Sequence, residues 1–168
     1  MLQAGDELVD IVDEHDTVVR ITTRAEMRRE RLRHRAVFIA VQSSSGQLLV
    51  HQRSFAKDVN PGAWDVAVGG VVASGESYDD AAARELAEEI GVVSPQPTPI
   101  GAGTFTDSNY DMVARCYHVV SDGPFTFADG EVIATRWVDR AGLAALLRDE
   151  DVAGDSVALV LDLLTITG

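Results

Sequence analysis

Three glutamates, Glu85, Glu88 and Glu89, hold the most legible chemistry in this chain. On a helix they stand at i, i+3 and i+4, so three carboxylates leave one face within about a turn. Like charges at that spacing destabilise a helix by ~0.2–0.5 kcal/mol per pair. A hard divalent cation held by carboxylate oxygens reverses that cost. Mg²⁺ suits the position, with Mn²⁺ as the alternative, because it takes few protein carboxylates, keeps several waters and bridges to substrate phosphates. Such a cluster neutralises an anionic ligand and presents water for attack.

The flanking residues supply support. Gly69 and Gly70 let the backbone approach the acids closely, and a carbonyl at Gly70 could complete a metal shell. Arg84, a fixed cation beside three acids, can orient a carboxylate by a bidentate hydrogen bond, and Glu76 can hold the preceding loop against the helix.

Secondary elements must place these groups. Ser77-Tyr78-Asp79-Asp80 has the spacing of a capping box, with Asp in place of Glu, and the strong helix formers after it stop at Gly91, which predicts a helix over 78–90. Upstream, a Gly-interrupted strand is expected over 64–72, after a loop at 54–63 that contains Asn60-Pro61-Gly62. Apolar runs at 36–41 and 48–52 flank Ser43-Ser44-Ser45-Gly46 and predict a hairpin. An N-terminal hairpin is expected from 7–13 and 17–21, followed by a helical turn or two within 23–33. Pro95, Pro97 and Pro99 mark an extended connector; strands at 103–105, 113–120 and 132–138 and helices at 141–148 and 157–164 complete an α+β order. Without repeats, low-complexity tracts or linkers, residues 1–168 are expected to form one domain.

Composition narrows the function classes. The 168 residues are 46% hydrophobic and 24% charged, which fits a globular core and not a disordered tail. No apolar run reaches the roughly 20 residues of a membrane span, and the acidic opening resembles neither a signal nor a transit peptide, so a cytoplasmic protein with no membrane partner is expected. The single cysteine, Cys116, excludes an intrachain disulfide and a cysteine zinc cluster; its apolar run marks it as a buried small residue. A net charge of −13 repels nucleic acid, which is not expected as a partner. Even so, seven of the fourteen basic residues fall between Arg20 and Arg35, opposed there only by Glu26 and Glu30. That stretch reads either as a solvated helix face or as a local phosphate contact.

Gly70, Glu76, Arg84, Glu85, Leu86, Glu88, Glu89, Gly91 and Val92 together match, without a gap, the Nudix signature Gly-X5-Glu-X7-Arg-Glu-U-X-Glu-Glu-X-Gly-U, where U is aliphatic. At ~7% per specified position, seven exact matches arise by chance on the order of once in 10⁸ windows. The sequence therefore resembles the Nudix family. The resemblance implies an α/β/α sandwich on a mixed sheet, with the motif as a loop-helix-loop.

Outside the signature, 32–36, the run His51-Gln52-Arg53-Ser54 with Lys57, and Pro61-Gly62-Ala63-Trp64 are similar to the branch that contains isopentenyl diphosphate isomerase. The resemblance implies that Arg53 and Lys57 contact a diphosphate as exposed loop cations, that Trp64 borders the substrate unless it simply packs in the core, and that Asp129 and Glu131 are late acidic metal ligands, Glu131 with a base role. The isomerase cysteine would fall at Gly69 and two of its metal histidines at Val71 and Met27, leaving only His34, so that activity is dismantled. The implied function is an Mg²⁺-dependent pyrophosphohydrolase acting on a nucleoside diphosphate linked to a variable group X, a small-molecule diphosphate. A catalytically silent nucleotide-binding domain and, last, an isomerase are the competing readings. A homodimer is compatible with all three.

Overall fold

The computed structural model describes residues 4–128 and 130–168. Alternation along strand β3 (His34–Gln42) sets the architecture. Val37, Ile39 and Val41 point into a core shared with Ala82, Leu86 and Ile90 of helix α2 (Tyr78–Ile90). Ala36, Phe38 and Ala40 point the other way, into a core shared with Leu143 and Leu146 of α3 (Arg140–Asp149) and Val160 of α4 (Gly154–Val160). A strand buried on both faces needs helices on both sides. The result is the expected α/β/α sandwich, with helices over both faces of a mixed sheet.

β3 pairs in parallel with β8 (Asp111–Val120) from His34↔Met112 to Gln42↔Val120. On its other edge it runs antiparallel to β6 (Val68–Val71), from Ala36↔Val71 to Ile39↔Val68. β7 (Thr98–Thr106) lies antiparallel outside β8. The N-terminal hairpin, β1 (Leu8–Val12) and β2 (Val18–Thr23), joins this sheet at Ile11↔His34. It leads into the short helix α1 (Arg24–Glu30).

The hairpin expected from 36–41 and 48–52 has its tight turn but not its ladder. β4 (Leu48–Arg53) meets β3 only at Gln42↔Leu48, then pairs with β9 (Val132–Val138) and with β5 (Trp64–Asp65). Both edges of β3 are already taken by β6 and β8, so β4 has no edge to join. The single strand expected over 64–72 divides for the same reason, β5 serving β4 and β6 serving β3. The Asp65 carboxylate accepts the amide of Ala67 at 3.2 Å within the crossing. Pro99 lies inside β7 and not in a connector. β7 pairs only with β8, and an edge strand tolerates a missing N–H.

Helix α2 matches its expected span. Ser77 accepts the Asp80 amide at 3.1 Å and Gly91 closes the helix at φ 74°. The capping box is not reciprocal: the Asp80 carboxylate takes the Ser77 hydroxyl at 2.7 Å, because Asp is one methylene shorter than the usual Glu. The last helix is shorter than expected; α4 ends at Val160 and a 3₁₀ turn, Leu161–Leu163, follows.

Candidate active site

A cleft of about 580 Å³ opens where α2, the glycines of β6, the 54–63 loop and α1 converge. Glu85 and Glu89 turn into it and are each only 8% exposed, whereas the Glu88 side chain stands at the rim, 58% exposed. Arg84 organises the acids. Its Nε and Nη2 donate to the two oxygens of Glu76 at 2.8 and 2.9 Å, and Nη1 donates to Glu85 at 2.7 Å and to Glu88 at 3.2 Å. Nη2 also reaches the Val71 carbonyl at 3.2 Å, and Glu76 accepts the Ala73 amide at 2.9 Å. One guanidinium thus ties α2 to the loop after β6 and draws two carboxylates toward one spot.

The paired glycines have separate reasons. A Cβ on Gly69 would stand 2.1 Å from the Val37 carbonyl oxygen, so the β3–β6 pairing itself demands glycine there. A Cβ on Gly70 would stand 2.3 Å from Oε1 of Glu85, so that glycine makes room for a carboxylate.

The Glu89 carboxylate makes neither a hydrogen bond nor an ion pair among the described residues. Burial, followed by the charges of Glu85, Asp65 and Glu131, pushes its carboxyl well above the usual range, with Lys57 offsetting part of this. Glu85 is also raised by burial, opposed by Arg84. Among the described residues no three acids or histidines already converge closely enough to ligate a metal, because Arg84 draws Glu85 and Glu88 while Lys57 pairs with Glu131. In type the donors fit a hard divalent cation: all are anionic oxygens, and the buried Glu89 has no direct ion pair among the described residues. Asp129 lies outside the described residues.

Arg53 and Lys57 both line the cleft, with side chains 20% and 24% exposed, and are not the exposed loop cations expected. Arg53 donates to the Val59 carbonyl at 3.1 Å and lies 3.5 Å from Asp65, but its Nε is buried with no hydrogen-bond partner. Trp64 does not line the cleft. It is 3% exposed in the core, with the Arg136 guanidinium 4.0 Å from its ring centre. Strand parity decides this, since Trp64 pairs with Gln52 on β5 and its neighbour Asp65 faces the cleft instead.

His34 lines the cleft as a buried neutral ring. Its Nδ1 donates to the Leu32 carbonyl at 3.0 Å, and burial lowers its pKa. Cys116 is buried with its thiol pushed up to about 11, so it supplies no thiolate.

Sequence reasoning missed Asp65 and Asp155, left Arg24 and Arg28 unassigned, and read Tyr110 either as the border of a leaving group or as packing; all five line the cleft. The two arginines had a signal, their i, i+4 spacing within the basic stretch. Asp65 and Asp155 had none, since β5 and α4 meet only in the tertiary structure.

A mixed sheet between helices, with an acidic helix and a glycine turn around one cleft, defines a domain built to act on phosphoanhydrides. Residues 32–159 match the NUDIX domain, and the chain belongs to the Nudix hydrolase family. It is 39% identical over 132 residues to a Nudix hydrolase of Yersinia pestis, covering 79% of this chain and 72% of that one. It is 35% identical over 154 residues to the Nudix hydrolase YfcD of Escherichia coli K12, covering 92% and 84%. A crystal structure from Deinococcus radiodurans superposes with a TM-score of 0.75 at 31% identity, covering 89% of this chain and 94% of that one. The NUDIX domain of Shewanella oneidensis NrtR, complexed with ADP ribose, shares the fold with a TM-score of 0.61 at 20% identity, covering 82% and 94%. As a Nudix hydrolase the chain acts on pyrophosphate bonds. No helix among the described residues is long and apolar enough to cross a membrane.

Proposed function

We propose that this hydrolase is a Mg²⁺-dependent pyrophosphohydrolase that cleaves the phosphoanhydride of a nucleoside diphosphate linked to a further group. The observation that carries the reading is Glu89, a buried carboxylate without a partner among the described residues and surrounded by the charges of Glu85, Asp65 and Glu131. Acids in that arrangement lower their energy only by protonation or by taking up a cation. Glu85, Glu88, Glu89 and the Gly70 carbonyl would hold Mg²⁺, or Mn²⁺ in its place, with Glu131 as a further ligand. Bound there, the ion supplies Lewis acidity toward phosphoryl oxygens and lowers the pKa of water.

The chain's own groups do the rest. Arg84 ties Glu85 and Glu88 to one guanidinium on the helix, keeping both carboxylates beside Glu89 until a cation takes them up. Arg53 and Lys57 line the same cleft as the acids and would offset charge on the leaving phosphate. The buried, unsatisfied Nε of Arg53 is a donor waiting for an anionic oxygen. Glu131, ion-paired with Lys57, lines the same cleft as a carboxylate able to accept a proton.

A panel of nucleotide and non-nucleotide diphosphates, incubated with Mg²⁺ and scored for phosphate and pyrophosphate, tests the reading. Turnover of at least one diphosphate that disappears with EDTA and returns with Mg²⁺ is expected. Metal-independent turnover, or none across the panel, overturns it.

A further inference from the structure

The basic stretch divides into two populations. Arg20 pairs with Glu26, Arg24 with Glu7 at 3.1 Å, Arg33 with Asp111 at 3.0 Å and Arg35 with Asp16 at 2.6 Å. These four are neutralised where they stand. Arg28 makes no ion pair among the described residues, and its guanidinium lies 5.8 Å from the Tyr110 ring centre. Arg31 donates to a neutral acceptor, the Ser108 carbonyl, at 3.0 Å. Among the described residues Arg29 pairs with its neighbour Glu30 alone, at 3.0 Å and in solvent.

The second group lines one place. Arg28, Arg29 and Arg31 surround a hollow of about 360 Å³ in which Asp58 is the one acid among the lining residues. The catalytic cleft has the opposite balance, with acids in excess of bases along its walls. Arg28, Asp58 and Val59 belong to both linings, so the two spaces share a wall. Three guanidinium groups meet there against one lining acid, Asp58, and the exposed Glu30 paired with Arg29, which leaves a local excess of positive charge on a chain of net charge −13. The cleft calls for a cation and the adjoining hollow calls for an anion.

We infer that the hollow of Arg28, Arg29 and Arg31 takes a second phosphate of the substrate, a monoester separate from the diphosphate that is cleaved. This rests on the pyrophosphohydrolase reading and narrows its substrate class to diphosphates that carry an additional phosphate. Tyr110, held between Arg28 and the cleft, would flank the sugar or base joining the two. Guanidinium groups suit the task because they present donors to phosphate in a planar fork.

The test compares matched substrates that differ only in the extra phosphate: ADP with its 3′-phosphorylated form, and ADP ribose with its 2′-phosphorylated form. kcat/KM should favour the phosphorylated member of at least one pair by about tenfold or more. In the Arg29→Gln/Arg31→Gln double variant that preference should fall toward unity while turnover of the unphosphorylated member is unchanged. No preference in either pair, or one that survives the double substitution, overturns the inference. Inorganic phosphate, titrated while the arginine Nε–H resonances are followed by NMR, decides the hollow without catalysis. Saturable shifts of Arg28, Arg29 and Arg31 are expected, and their absence overturns the site. If these resonances respond while no diphosphate is cleaved, the hydrolytic reading fails and the anion site stands.

Discussion

The Glu85 carboxylate occupies the space where a side chain on residue 70 would begin, its Oε1 2.3 Å from the ideal Cβ position on Gly70. Gly70→Ala should therefore displace the end of a flexible side chain and leave the backbone in place. We expect kcat/KM to fall ~10²-fold, the scale of a misplacement of about 1 Å at a reacting centre, with little change in melting temperature. Gly69→Ala should do the reverse. Its Cβ meets the Val37 carbonyl, so stability falls by ~1–3 kcal/mol through strain in the β3–β6 ladder, measured by urea denaturation.

Glu76→Gln removes the charge from a bidentate pair whose members are 16% and 29% exposed. We expect a stability loss of ~1–3 kcal/mol from weakening hydrogen bonds to a charged group, and a smaller effect on rate than changes at Glu88 or Glu89. Arg84→Lys should lose both, since ammonium cannot bridge Glu76 and Glu85 in one plane. A Glu76→Gln variant of unchanged denaturation midpoint would refute the bracing role.

Glu89→Gln relieves a buried charge that has no partner among the described residues. Metal-free protein should be as stable as the parent or more so, while kcat drops by at least ~10². In the parent, Mg²⁺ at a hundredfold excess over Kd should add about 2.7 kcal/mol by mass action, and the gain should shrink in Glu88→Gln and Glu89→Gln. Melting temperatures with EDTA and with Mg²⁺ measure this. An equal shift in all three proteins would remove these glutamates from metal binding.

Asp155 provides a pH test. Burial, then the charge of Asp65, raises its pKa from 3.8 to about 6. Between those values the folded protein binds more protons than the unfolded chain, so this group's contribution to stability is present at low pH and is lost as pH rises through about 6. The whole effect is on the order of 3 kcal/mol. Asp155→Asn keeps an acceptor for the Ser156 amide, so the variant should gain on the parent from about pH 4 upward and level off above about pH 6. Urea midpoints of both proteins across pH 4–8 check it.

Arg53→Ala and Lys57→Ala should raise KM or lower kcat/KM at least tenfold, because both cations line the cleft that holds the acids. They should differ in stability. Removing Arg53 strips Asp65 of a nearby cation and leaves the Val59 carbonyl without its donor, whereas Lys57 gives up one ion pair with the half-exposed Glu131. Steady-state kinetics paired with denaturation midpoints separates the two.

Helix α2, its caps, the three glutamates, Arg84 and Glu76 could all be read from residue types and spacing, because each depends on neighbours within about a helical turn or on one loop beside it. The two-sided burial of β3 was also legible as an apolar run. Local spacing could not say which strand edges were free. The 36–41 and 48–52 segments looked like partners until β6 and β8 filled both edges of β3 and sent β4 to β5 and β9. That competition among distant strands turned Trp64 into core and Asp65 into cleft wall, brought Asp155 from α4 beside it, and folded the arginines of α1 against the 108–110 loop. Side chains repeating along one helix are ordered by covalent geometry, whereas groups hundreds of atoms apart are ordered by which surfaces can be buried together, and only the assembled sheet decides that.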